Sequence, residues 1–215
     1  MYYMSKLKLY FVRHGETQYN IEKRMQGFCD SPLTDRGIQQ AKAVGAGLAS
    51  IDFEAVYASE SQRVQDTAKF ALGEKALPIK TDARLKEMNF GVLESLLQEE
   101  IISEHGNILE KIFSMSDIDF KVPKGESFTD LLTRTKSAVD EIIATHKEKG
   151  GNILIFSHGV TIGYLIMSLA KMDTFPHHDN CCVSIISYEN GEISVEKAAD
   201  PSFRDRGMEL LSSTK

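Results

Sequence analysis

Leu7-Lys-Leu-Tyr-Phe-Val12, followed by Arg13-His14-Gly15-Glu16-Thr17, is the stretch from which the fold is read. Its short, β-rich apolar run reads as a buried strand. The run ends by placing a guanidinium and an imidazole where the strand becomes a loop, the place at which open α/β sheets bind ligands. Far downstream, Asn152-Ile-Leu-Ile-Phe-Ser157 is a second apolar run, and it too delivers a histidine, His158, followed by Gly159. A lone histidine at a strand end is more often a hydrogen-bonded structural residue than a catalyst. Two of them on two buried strands point to one site.

The segments between these strands alternate in character. Thr34 is placed to cap a helix running to about Ala49, with Ala41, Val44 and Leu48 on one face and glycines at 37, 45 and 47 permitting close packing. Ala55–Ala58 reads as a strand and Ser61–Leu72 as a helix, which puts Arg63 in a first helical turn at a strand's exit. Pro78–Thr81 reads as a strand leading to Glu87. From Glu94 to about Ser116 an apolar stripe (Ile101, Ile102, His105, Ile108, Leu109, Ile112, Phe113) predicts helix within an interposed segment, approximately 92–124, that is a candidate cap. Most of that stripe reads as sealing a core. Ser127 caps a long helix ending near Lys149 before Gly150-Gly151, and the Ile153–Phe156 strand, the Val160–Ala170 helix and a hairpin turning at Asn190-Gly191 follow. The expectation is a single α/β domain over 1–215, a three-layer α/β/α sandwich with a mainly parallel sheet, a small helical cap segment and a polar C-terminal tail at 200–215.

Composition narrows the function classes. A chain of 215 residues with 42% hydrophobic and 26% charged residues is an ordinary globular protein able to bury a core without disulfides or metals. Cys29, Cys181 and Cys182 form neither a disulfide framework nor a zinc pattern, in keeping with a reduced, cytoplasmic setting. Met1–Lys6 has no secretory apolar core, and no run approaches the length of a membrane span. A formal charge of −6 argues against nonspecific nucleic-acid binding, though not against an anionic substrate held by a local cluster of cations.

Asn20, Gln26-Gly27 and Pro32-Leu33-Thr34 follow the first motif. Next come Ser59-Glu-Ser-Gln-Arg63 with Thr67-Ala68, Glu87 with Phe90-Gly91, Gly125-Glu126-Ser127, and Ser157-His158-Gly159. In that order, over about Leu7 to Glu196, they resemble the histidine phosphatase superfamily, also called the phosphoglycerate mutase-like family. The resemblance implies His14 as nucleophile, Arg13, Arg63 and His158 as a phosphate clamp, and Glu87 as proton donor. Asn20, Gln26, Gly27 and Gly159 would complete the pocket.

Phosphoryl transfer from an alkyl phosphate suits such a set. It needs a nucleophile, charge stabilisation on the equatorial oxygens and a proton for the departing alkoxide. His14 attacks only through an unprotonated nitrogen, so its other nitrogen should donate to a nearby backbone carbonyl. Arg13 and Arg63 offer planar forks matched to phosphate oxygens. Glu87 would serve as acid in the first step and as base for water in the second. The route needs neither metal nor cofactor. The sequence has no P-loop or Mg²⁺-type aspartate cluster, and the adjacent pair His177-His178 reads as structural or surface, as do His105 and His146.

Within the family, mutases of this type carry an arginine-bearing segment between the acid–base glutamate and the second histidine. Here Glu87 to Gly125 contains no arginine, only Lys111, Lys121 and Lys124. Many phosphatase relatives have Trp-Glu-Gly where this chain has Leu93-Glu94-Ser95. The expectation is a phosphatase for small phosphorylated metabolites, working as a monomer or homodimer. The alternatives are a cofactor-dependent phosphoglycerate mutase, a phosphoprotein phosphatase and a noncatalytic phospho-ligand-binding protein.

Overall fold

The structure, a computed structural model, describes residues 6–74 and 77–213. Most of the N-terminal stretch and the last two residues of the expected tail lie outside them. Strands β1 (Leu7–Arg13), β2 (Ala55–Ala58), β3 (Ile79–Thr81), β4 (Gly151–Ser157), β5 (Val183–Glu189) and β6 (Glu192–Asp200) form one sheet in the order β3-β2-β4-β1-β5-β6. The first four are mutually parallel; β5 runs antiparallel to β1, and β6 pairs antiparallel with β5 across the Asn190-Gly191 turn.

Side chains on a strand alternate between faces, and both central strands use the alternation. Leu7, Leu9 and Phe11 of β1, with Ile153 and Ile155 of β4, enter a core shared with α6 (Phe128–His146) and α7 (Gly159–Ala170). Tyr10, Val12, Leu154 and Phe156 enter the opposite core with α2 (Asp35–Gly47) and α3 (Gln62–Leu72). A strand buried on both faces reads as a continuous apolar run, which is why these two were visible in the sequence. Thr34 and Ser127 cap α2 and α6 as expected, their hydroxyls accepting from Gly37 N and Asp130 N.

Two expectations need correction. The segment read as a polar tail carries a helix, α8 (Ser202–Ser213), packed on α2. Gly207 lies so close that an added Cβ would stand 1.7 Å from the Ala43 carbonyl oxygen, and one on Gly47 would stand 1.8 Å from that of Phe203. Few apolar residues betray this helix because its contact is made by backbone at glycine, with Phe203 edge-on to Tyr10. The stretch expected to be helical from Glu94 to Ser116 is two short helices, α4 (Gln98–His105) and α5 (Ile108–Phe113). Gly106, at φ +62°, ends the first.

Residues 91–125, which contain α4 and α5, rest on a third apolar cluster. Leu93, Ile101, Ile112 and Val122 pack there against Phe128 and Leu131 of α6 and Tyr164 of α7. Ile102 and Phe113, counted in the same stripe, are exposed. No helix among the described residues is long and apolar enough to cross a membrane.

Candidate active site

Register brings the two histidines together. Arg13 pairs opposite Ser157 at the carboxyl ends of β1 and β4, and the backbone N–H of His14 donates to the Ser157 carbonyl at 3.1 Å. The His14 and His158 rings meet edge to face with centroids 5.5 Å apart, and both are buried. His14 Nδ1 lies 2.8 Å from the Gly15 carbonyl oxygen, an acceptor, so Nδ1 carries the proton and Nε2 keeps its lone pair. Burial foremost, then the Arg63 and Arg13 charges, holds its pKa well below that of free histidine. His158 is held neutral by the same burial and by Arg63. Its Nδ1 accepts from Arg63 Nη2 at 3.0 Å, so its single N–H is Nε2–H, which goes to Ser59 Oγ at 2.8 Å. His158 thus orients Arg63, one of the residues that the resemblance sets with it in the phosphate clamp.

Arg63 is fully buried and heavily used. Nη1 donates to the Cys29 carbonyl (2.8 Å) and Asp30 Oδ1 (3.0 Å), and Nη2 donates to the Gly27 carbonyl (2.9 Å) besides His158. Arg13 donates through Nη1 to the His178 carbonyl. In both arginines the Nε–H is buried without a partner. Buried N–H groups are rarely left so. Gly159 makes room for the first, since a Cβ there would stand 3.1 Å from Arg13 Nε.

The remaining expected pocket residues form a supporting layer. A short helix, α1 (Gln18–Glu22), is capped by Thr17. Asn20 Oδ1 accepts from Thr17 N (3.1 Å) and from Asn180 Nδ2 (3.3 Å), and that same Nδ2 also donates to the His14 carbonyl (3.0 Å). The Gln26 side chain donates to Ser31 Oγ at 2.6 Å. Gly27, expected to complete the pocket, presents its carbonyl to Arg63. It is wedged where a Cβ would stand 2.3 Å from Glu94 Oε1 and 2.6 Å from the Met88 carbonyl.

Glu87, also buried, follows a single 3₁₀ turn at Ala83–Leu85. Its carboxylate lies on the N-terminus of α7, where backbone N–H groups have no partner within the helix. Oε1 accepts from Thr161 N (3.0 Å), Thr161 Oγ1 (2.9 Å) and Met88 N (3.0 Å), and Oε2 from Val160 N (3.1 Å). His158 is the N-cap of that helix. One helix start therefore fixes His158 and Glu87 relative to each other.

Ser59, Thr67 and Glu94 stand in the quoted motifs without an assigned role, and Asp30, Asn180 and Arg134 were missed in the sequence. Thr67 Oγ1 links the Gly15 amide to the Arg63 carbonyl. Glu94 takes the N–H groups of Phe28 (2.8 Å), Cys29 (2.7 Å) and Phe90 (3.1 Å), tying the Gly27 loop to the cap. Its neighbour Ser95 sits at φ +67°, in the left-handed region. A glutamate flanked by leucine and serine gives no sign of this in one sequence. Of the histidine pair, His177 is exposed while His178 is buried with Nε2 on Ser184 Oγ at 2.6 Å, its pKa pushed down to about 4 by burial.

The model of the histidine phosphatase superfamily (branch 1) matches residues 9–201. "Probable phosphoglycerate mutase GpmB" of Enterobacter sp. (strain 638) is 32% identical over 187 residues, covering 85% of this chain and 86% of that protein. Among solved structures, phosphoglycerate mutase from Bacillus anthracis str. Sterne superposes with a TM-score of 0.86 at 30% identity, over 95% of this chain and 97% of that one. The alpha-ribazole phosphatase from Shigella flexneri superposes at 0.77 with 27% identity, over 90% and 96%.

Proposed function

The chain belongs to the histidine phosphatase superfamily, and from that premise we propose that it is a phosphomonoesterase for small phosphorylated metabolites, acting through a phosphohistidine at His14. The observation that carries this reading is a neutral imidazole with a free Nε2 beside two guanidinium groups whose buried Nε–H donors have no protein acceptor. A phosphoryl group set between them supplies the missing acceptors and meets the nucleophile.

In the first half-reaction the His14 Nε2 lone pair forms a bond to phosphorus, the ester P–O bond breaks, and the alkoxide takes a proton from Glu87. In the second, water attacks phosphorus and gives a proton to Glu87 while the P–N bond breaks, releasing phosphate and regenerating the imidazole. Arg13 and Arg63 bear the charge on the transferring group, and no step requires a metal.

Hydrolysis is preferred over mutase chemistry because the cap offers little to a second anionic group. It has no arginine, Lys111 lies over the Phe120 ring at 4.0 Å, and Lys121 pairs with Asp130 at 2.6 Å. The cleft beside Asn20 sets Met25, Leu109 and Phe113, surfaces for an organic leaving group, beside Lys23 and Arg24, and Arg24 is paired with Glu22 at 2.7 Å. The mutase names of two relatives support the second reading, phosphoglycerate interconversion. Assaying purified protein with EDTA on a metabolite panel separates the two. Phosphate release dependent on His14 supports the phosphatase, whereas 2-phosphoglycerate formed from 3-phosphoglycerate without release, dependent on a bisphosphorylated primer, replaces it.

A further inference from the structure

We propose that Arg134, six residues into α6 and outside the phosphate clamp, is the positioning residue that aims Glu87. The proposal rests on the acid–base role given to Glu87 above and adds the residue on which that role depends. Residues 84 to 90 cross the site with little regular structure, so their backbone polar groups need partners from elsewhere. Arg134 supplies three of them. Nη1 donates to the carbonyls of Arg84 and Lys86, both at 2.8 Å, and Nη2 to that of Glu87 at 2.7 Å. Nε and Nη2 also grip the Glu126 carboxylate at 2.8 and 2.9 Å. All five guanidinium N–H groups are thereby used, and the side chain is 17% exposed.

Glu126 extends the grip past the catalytic position, because its Oε2 also accepts the Asn89 N–H at 2.9 Å. The backbone is thus fastened before Glu87, at Glu87 and two residues after it by one ion pair. Ser157 Oγ donates to the Leu85 carbonyl, and the single Thr161 hydroxyl hydrogen is shared between the Lys86 carbonyl and Glu87 Oε1, so the staple is completed by residues flanking His158. Lysine, with three donors on a flexible stem, reproduces at most part of this geometry. Arg134 makes no hydrogen bond to His14, Arg13, Arg63 or His158, so its geometric hold on the site is through the Glu87 backbone, and displacement of a catalytic group by about 1 Å can cost on the order of a hundredfold in rate.

The test uses full-length protein carrying Arg134→Gln, Arg134→Lys or Glu126→Gln, with circular dichroism confirming the fold. Turnover is compared on an alkyl phosphate, whose leaving group needs a proton, and on p-nitrophenyl phosphate, whose leaving group does not. Expected is a fall in kcat of about tenfold to a hundredfold on the alkyl ester, little change in KM, a change of less than about threefold on p-nitrophenyl phosphate, and a smaller loss for Arg134→Lys. In a Glu87→Gln background the Arg134 substitutions should add no further loss. Amide exchange at Val160 and Thr161, whose N–H groups rest on the Glu87 carboxylate, should quicken in the variants while later α7 amides stay protected. Equal losses on the two substrates, full additivity with Glu87→Gln, or unchanged exchange at those amides overturns the proposal. Should Arg134→Gln fail to fold, Arg134→Lys and Glu126→Gln decide it by the same criteria. Wild-type protein releasing no phosphate from any ester removes the phosphatase reading instead, and the exchange measurement then judges Arg134 by itself.

Discussion

The two poles of the site use arginine in opposite ways. At the proposed phosphate pole, Arg13 and Arg63 are held in place yet each keeps a buried Nε–H without an acceptor. At the acid–base pole, Arg134 spends every donor it has on the chain around Glu87. An unsatisfied buried donor is costly to a folded protein and becomes favourable only when a ligand arrives. A saturated guanidinium gains nothing from a ligand and instead fixes geometry. The difference separates side chains built to bind from side chains built to hold.

The comparison breaks most readily at His14. His14→Ala should lower phosphate release by about four orders of magnitude or more, as for a nucleophile acting within a unit, measured by steady-state turnover. An undiminished rate would remove the phosphate pole's central member. Glu87→Gln sharpens the contrast between poles: alkyl phosphates should lose about 10²- to 10⁴-fold while p-nitrophenyl phosphate is nearly spared. Arg63→Ala should lower kcat/KM for both ester types alike by roughly 10²- to 10³-fold, because charge on the phosphoryl group does not depend on the leaving group.

How much of this was legible in the sequence follows the same divide. The phosphate pole hangs on β1 and β4, whose apolar runs announce strands, and on α3, whose first turn announces where Arg63 stands. The fold and that half of the site could be read because each residue's position follows from a local pattern. Glu87 could be named only by resemblance, and the residues that hold it could not be named at all. Arg134 lies 47 positions away on a helix whose polar face gives no sign of which cation turns inward. Glu94 serves amides 65 and 66 positions upstream. Helix α8 was missed for a related reason, since Gly207 packs by what it lacks.

Smaller effects test how the poles are joined. Gly27 sits between them, its carbonyl on Arg63 and its Cα against Glu94 and Met88, so Gly27→Ala should destabilise by about 1–3 kcal/mol, read as a lowered denaturation midpoint. Unchanged stability would mean the loops are less tightly apposed than described. Acid should act chiefly at the phosphate pole. His14, His158 and His178 are depressed in the folded state, so below pH ~6.5 the unfolded chain binds protons that the native state does not. Their contribution is therefore intact above that pH and is lost as pH falls, toward about 4 for His178, at roughly 1 kcal/mol per pH unit for each group. Denaturant titrations at a series of pH values measure this slope, and a flat profile from pH 6.5 to 5 contradicts it.

The central claim is that His14 carries the phosphoryl group between the two half-reactions. It is tested most directly by mixing enzyme with a turned-over ester, quenching under alkaline conditions that preserve phosphohistidine, and sequencing the peptides by mass spectrometry. One phosphoryl group on the imidazole of His14, absent from His158 and formed no more slowly than phosphate is released, is the expected result. Steady phosphate release with His14 never phosphorylated would contradict the account and assign the reaction to direct attack by water.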